Sequence, residues 1–556
     1  MIVPAGLDWQ IGEQIVIAPT NMRTMDTDIC TITDYNVGTG RLTCEETIMG
    51  YHYGDDQSTA ADFDGVDMRA EVALLSRNIE ITGNNDQSHT ATEPWNCRIL
   101  VADFFEQNSE MTLRAGHLNM DFVSVHKCGQ KFTWKSAIKW ENALMGRSKV
   151  SNSAIHQGRS PGIIITKSMN VELVDNVVTD FAEHGIWAMN SQKLVLDGNW
   201  VFHVVEQADL TPKMIEYNGW KGGFTLSEGT NQMTVVNNVV AGSWHHGFHF
   251  KPSRCGETNP TWIFENNIAH SISGYGAIAL NVVNPCTEVH DFKAYKVTEA
   301  SIMLGGASTI NRGLRLTSID TRYGNAIHSG AKGRAEIIES KAYGELINNK
   351  DCPQGSPCDH CLDSRGMVLN MPAEGAHLDR QEKFYMLPLF KVKGGAMQGD
   401  AIYTDNRFID FTTNTKTCGS RQAAIMPFLA ADYTPYARFE GVVFDNVNHG
   451  ALTYFQDPPQ NWANLEDCVE FTCTGMYNIV TYFKGVRLTG QNTPMVPQRF
   501  SIISDNKESV SAQVIPSCEK QNQWNAWICT NRNIGVMIFD NQDPDRMDRA
   551  IQPVYI

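Results

Sequence analysis

Four stretches of the chain repeat one layout, and that repeat constrains the fold more than any other feature. Ser148–Ser168 reads SKVSNSAIHQGRSPGIIITKS, Met169–Asn190 reads MNVELVDNVVTDFAEHGIWAMN, Asn231–Lys251 reads NQMTVVNNVVAGSWHHGFHFK, and Thr261–Asn281 reads TWIFENNIAHSISGYGAIALN. Each has an alternating apolar strand, an Asn, a short second strand, then Gly and a third alternating strand. The step from Asn to Gly is 9 for Asn176–Gly185, Asn238–Gly247 and Asn267–Gly276, and 10 for Asn152–Gly162. Asn152 and Asn176 are 24 apart, the length of one solenoid coil. A unit this short cannot bury its inward face alone, so units must stack. The predicted fold is all-β, a right-handed parallel β-helix.

At a tight corner the backbone leaves amides unpaired. An inward Asn satisfies them and bonds to the Asn of the next coil. Asn152, Asn176, Asn238 and Asn267 therefore read as a structural ladder rather than a row of ligands, because they recur with the repeat. Lys193–Trp200 adds a partial coil with Asn199, and 209–221 reads as a loop inserted between coils. Stretches 312–329, 437–455, 479–489 and 534–541 keep the rhythm less regularly. The expected organisation is a β domain over 1–85 merging into a β-helix over 86–345. A Cys-rich excursion at 346–380, an irregular continuation over 381–540 and an extended arm at 541–556 follow.

The 556 residues are 42% hydrophobic and 19% charged, enough to bury a core and unlike a disordered chain. The net charge of -17 disfavours nucleic acid and anionic lipid as partners. No apolar run is long enough to span a membrane. The start, Met1–Gly6, lacks the basic and apolar regions of a signal peptide, so a processed piece of a larger precursor is expected. The 14 cysteines include near pairs: Cys30 with Cys44, Cys97 with Cys128, Cys255 with Cys286, Cys468 with Cys473, and Cys518 with Cys529. Disulfides in an oxidising compartment are the simplest account, which places the chain outside the cell or at its surface. The chain holds no Asn-x-Ser/Thr acceptor; Asn259-Pro260-Thr261 is blocked by Pro.

The first 85 residues carry a longer signature. Leu7-Asp8-Trp9-Gln10-Ile11-Gly12-Glu13-Gln14-Ile15-Val16-Ile17-Ala18 is followed by Val66-Asp67-Met68-Arg69-Ala70-Glu71-Val72-Ala73-Leu74-Leu75-Ser76-Arg77-Asn78-Ile79. These segments resemble the fibrocystin and cell-surface hyaluronidase superfamily, in which a glycine-rich all-β domain leads into parallel β-helix repeats. The resemblance implies that residues 1–85 are a partial glycine-rich β domain. It implies a structural or receptor-like role on one branch and hyaluronan breakdown on the other, and does not choose between them.

Polysaccharide cleavage needs two carboxylates across a cleft, or a base with a neutralising cation. Strand alternation would put Asp67, Arg69 and Glu71 on one face, a candidate catalytic row; the competing reading is an ion-pair ladder where the first domain meets the helix. His184 and His246 each precede the corner Gly and, as equivalent positions, would stack as a surface pair. A metal centre needs three or four converging ligands, and no third is identifiable. Cys352, Cys358, Cys361 and His360 hold one C-x2-C element, read as a disulfide knot rather than zinc. No P-loop, dinucleotide fingerprint or nucleophile elbow occurs, so no cofactor is expected. Trp187, Trp200, Trp220, Trp244 and Trp262 would line a glycan groove or fill the core. The leading expectation is an extracellular structural or adhesive protein that self-associates end to end or laterally into filaments; the alternatives are a glycan depolymerase and a glycan-binding module without chemistry.

Overall fold

The computed structural model describes residues 1–54, 66–83, 96–107, 111–130, 133–158, 160–205, 221–226, 230–250, 262–281, 286–306, 310–321, 323–329, 334–344, 364–369, 400–412, 422–427, 436–453, 480–490, 496–504, 517–535, 538–539, 549–550 and 554–555. They group into two compact units. One is Met1–Lys251 with Thr258–Ile278 and Tyr295–Thr298; the other is Pro252–Glu257, Ala279–Ala294 and Glu299–Ile556.

In the first unit, Met169–Val174, Val177–Ala182 and His184–Met189 make one complete rung. We call their three sheets faces I, II and III. Each strand pairs in parallel with the strand of the same face one rung on: Leu173 opposite Leu196, Val178 opposite Val201, Ile186 opposite Phe224. Face I runs from Asn119–Asp121 to Trp262–Glu265, face II from Ile79–Thr82 to Ile268–Ile272, and face III from Ile99–Val101 to His246–Phe250. Because side chains alternate and pairing is in register, inward positions form columns along the stack. On face III one column is Ile138, Ile163, Ile186, Phe224 and Phe248, all without solvent exposure. Like stacks on like: the Phe224 and Phe248 rings lie 5.0 Å apart at 12°.

The corner between faces I and II explains the Asn of the repeat. A residue with positive φ makes the bend, and the next residue points inward. The bend residues are Asn152, Asp175, Gly198, Asn237 and Asn266, with φ from 49° to 65°. Asn and Asp tolerate this conformation better than other side chains, and Gly adopts it freely. The inward residues are Ser153, Asn176, Asn199, Asn238 and Asn267, at most 1% exposed. Asn176 Nδ2 donates to Asn199 Oδ1 at 3.0 Å, Asn199 to Asn238 at 3.0 Å, and Asn238 to Asn267 at 3.0 Å. Each Oδ1 also accepts a backbone N–H from the preceding rung, as Asn199 Oδ1 does from Asn176 N. Asn152 is not a ladder member. It is the bend residue, and its Nδ2 donates outward to Asp121 Oδ1 at 2.9 Å; Ser153 takes the ladder place, its N–H donating to Asn176 Oδ1.

The second unit keeps the rung and changes the corner. Asp291, Arg315, Glu339, Asp405, Gly441 and Gly485 make the same bend, with φ from 52° to 70°. The inward residues that follow are Phe292, Leu316, Ser340, Asn406, Val442 and Val486, mostly apolar. On face I, parallel pairing passes from Cys286–His290 to Val480–Lys484. It then turns antiparallel: Val480–Lys484 pairs with Arg499–Ser504, and that with Ala526–Thr530. Near the C-terminus, Arg549–Ala550 pairs with Ile538–Phe539 and Val554–Tyr555 with Ile534–Gly535. These described strands of the expected extended arm fold back on their own chain.

Near the N-terminus of the first unit, Gln14–Ile17, Asp28–Asn36, Arg41–Cys44 and Val72–Leu74 form an antiparallel sheet. One side of it, Val16, Ala18, Ala73 and Leu75, packs on the outer side of face II against Ala154, Val177, Phe202, Val239 and Ala241. Cys30–Cys44, Cys97–Cys128 and Cys518–Cys529 are disulfides. Pairing of Cys255 with Cys286 and of Cys468 with Cys473, and the Cys352–Cys361 knot, lie outside the described residues.

Candidate functional site

Asp67, Arg69 and Glu71 do not form one row. Burial alternates from Val66 to Arg69 but breaks at Ala70 and Glu71, before the strand begins at Val72. Val66 and Met68 are buried, while Asp67 and Arg69 stay on the surface and pair with each other, Arg69 Nε donating to Asp67 Oδ1 at 2.8 Å. The Arg69 guanidinium holds the Asp67 carboxyl below its ordinary value. Their side chains remain 57% and 54% exposed, so the pair is a solvated one.

Glu71 turns the other way. Its Oε2 meets His270 Nε2 at 3.0 Å, 199 positions along the chain, and the His270 side chain has no solvent exposure. The His270 ring stacks on Tyr295, 4.4 Å between centroids at 6°. Burial, then the carboxylates of Glu71 and Asp67, push the Tyr295 hydroxyl well above its ordinary value. Nearby, Ser271 Oγ donates to Pro19 O at 3.1 Å. The Glu71 carboxylate thus fastens the N-terminal sheet to face II.

The histidines lie on the outer side of face III. His184 and His246 are in one column but two rungs apart, with Gly222 between them, so they do not stack as a pair. Gly222 has φ +153°, and a Cβ there would fall 2.1 Å from His246 O. His184 Nδ1 hydrogen-bonds Thr225 Oγ1 at 2.8 Å and its ring stacks on Trp187. Beside them Lys221 Nζ and Glu183 Oε2 form a buried ion pair at 2.8 Å. His245 and His249 complete the cluster, His249 lying 5.7 Å from His246. Burial, with Lys221 adding to it, pushes His184 and His245 down to about 3, and His246 falls well below its ordinary value. All three are neutral at pH 7, so none is a charged proton donor there. Among the described residues no group of three or more His, Cys, Asp or Glu is placed to hold a metal ion.

A second histidine column on face II escaped the sequence reading. His126 and His156 are directly opposite and their rings stack at 5.1 Å and 7°. His156 Nε2 meets Ser124 Oγ at 3.0 Å. Burial, then His126, pushes His156 down to about 4. Their spacing of 30 differs from the regular rung, which hid the pairing. Of the tryptophans, Trp187 and Trp262 are buried, Trp244 is exposed, and Trp220 lies outside the described residues.

Comparison with known proteins agrees with this architecture. Residues 129–284 match the family described as "Right handed beta helix region". The chain is a right-handed parallel β-helix protein. It is 29% identical over 307 residues to fibrocystin of Canis lupus familiaris, covering 55% of this chain and 7% of that protein. It is 22% identical over 615 residues to fibrocystin-L of Mus musculus, covering 99% of this chain and 14% of that protein. It is therefore fibrocystin-like, and spans only a small part of the length of these relatives. Among solved structures, it is similar to the tailspike protein gp49 from Pseudomonas phage LKA1 (TM-score 0.28, 7% identity, 82% of this chain and 57% of that one). It is also similar to PfbA, a surface adhesin of Streptococcus pneumoniae (TM-score 0.28, 9% identity, 75% and 86%). No helix among the described residues is long and apolar enough to cross a membrane.

Proposed function

We propose that this chain is a structural or adhesive protein outside the cell or at its surface, and that it self-associates. One observation carries the reading: the carboxylate best placed for chemistry is spent on the scaffold. Glu71 is bound to a buried histidine, and Asp67 is neutralised by Arg69 on an exposed loop. The disulfides Cys30–Cys44, Cys97–Cys128 and Cys518–Cys529 support an oxidising location. The pairing of Cys30 with Cys44 joins two strands of the N-terminal sheet, and that of Cys518 with Cys529 joins two antiparallel strands of the second unit.

Incubation with hyaluronan, pectin and alginate is expected to leave their chain lengths unchanged. Shortening that disappears in Asp67→Asn would replace this reading with a depolymerase. Glycan-array binding without product would mark a lectin-like module instead. Elongated or paired particles in electron micrographs support self-association.

A further inference from the structure

In the first unit all three parallel faces stop on one rung. Face II ends at Ile79–Thr82, face III at Ile99–Val101 and face I at Asn119–Asp121, and no described strand pairs beyond them. Among the described residues no strand covers the core there. Ile79 shares an inward column with Val123; Val123 is 7% exposed and Ile79 60%. On face III, Leu100 lies on the outer side of the edge strand, opposite Lys139, and is 51% exposed. Next to it, a hairpin of Phe104–Phe105 and Leu113–Arg114 displays Phe104 and Phe105, about 60% exposed each. A row of free backbone groups beside exposed apolar side chains is a template for another strand.

We propose that this rung docks a second copy of the chain, head to head about a twofold axis. The inference rests on the self-association reading and assigns its surface. Three edges in one triangular rung are met together only by another solenoid rung. Among the described residues the second unit of a copy does not offer one: its face I closes into antiparallel strands, and its face III strand Gln422–Pro427 is bridged by Thr453. The free rung of a copy is therefore this same rung, and like meets like by a twofold.

The twofold pairs the face II edge with itself, antiparallel, and the face III edge with the face I edge of the other copy. Inward side chains must stay inward across the join. A centre on Ile81 does this, setting Ile81 against Ile81 and Glu80 against Thr82. It avoids placing Glu80 against its own copy, a like-charge contact. The apolar hairpins flank the join. Each copy carries a charge of -17, so screening by salt strengthens the association rather than weakening it.

Sedimentation velocity on the full chain tests this, up to about 100 µM and at low and high salt. The expected result is a dimer that tightens with salt, weakens at least about tenfold in Leu100→Glu, and keeps its β circular-dichroism signature. Phe105→Ser, on the exposed hairpin, gives a second and milder weakening if Leu100→Glu misfolds. Ile81→Cys is expected to yield an interchain disulfide absent from the wild type. A wild-type monomer throughout overturns both the rung assignment and self-association. Assemblies that ignore Leu100→Glu and Phe105→Ser overturn the rung alone and leave self-association standing.

Discussion

At the scale of single residues, Asn199 shows what the ladder costs to break. Its Oδ1 accepts from Asn176 N and Nδ2, and its Nδ2 donates to Leu173 O at 2.8 Å and to Asn238 Oδ1. Asn199→Ala leaves these buried groups unsatisfied and is expected to cost about 2 kcal/mol or more in a urea titration. Asn152→Ala removes only an outward contact and a bend-tolerant side chain, with an expected loss of about 1 kcal/mol. Equal losses would mean that Asn152, not Ser153, sits in the ladder. The buried histidines set a second expectation. His156 is held at about 4 against 6.5 for the free side chain. The folded form favours the neutral ring, so the unfolded chain binds more protons between these values. Stability is full above the free value and is lost as pH falls from about 6.5 toward 4, with His184 and His245 extending the loss toward 3. The melting temperature is expected to drop across that window, and His156→Gln to flatten the slope. The regular part of the chain was open to reading because Asn and Gly announce their corner roles. Ser153 to Gly162 is the same nine-residue step as in the other repeats, which marks Ser153, not Asn152, as the inward residue.

At the scale of elements, the link between the N-terminal sheet and face II depends on Glu71. Glu71→Ala leaves the buried His270 ring without its hydrogen-bond partner, an expected loss of about 2 kcal/mol. Hydrogen exchange at Val16–Ala18 should rise first, since that edge packs on face II. Unchanged exchange there would separate the pair from the docking of the sheet. No sequence pattern signals this contact, because 199 positions and a change of sheet lie between the partners. Gly198 is different: its φ of +65° and a would-be Cβ 2.2 Å from Asp175 Oδ1 make Gly198→Val doubly unfavourable. That variant is expected to melt several degrees lower.

At the scale of the whole molecule, the fading of the repeat after residue 284 has a physical cause. The bend persists, but Phe292, Leu316, Val442 and Val486 fill the inward place with apolar volume instead of amide bonds. Beyond residue 284 Asn no longer marks the coil, whereas the succession of bend residue, inward residue and strand continues. Replacing Leu316 with Asn is expected to be destabilising, because Leu316 N already donates to Ser340 Oγ and no neighbouring Asn completes a ladder. Thermal denaturation of that variant measures the cost.

The tie between Cys97 and Cys128 has a mechanical side. Cys97 precedes the face III strand of the opening rung, and Cys128 follows the face II strand of the next. Backbone bonds between rungs point along the stacking direction, so tension applied from residue 78 would peel rungs one at a time, each yielding at low force. The covalent staple sits on the rung that would peel first. Until it is reduced, stretching stalls there, and an extension trace should show a missing length of chain equal to the loop it closes.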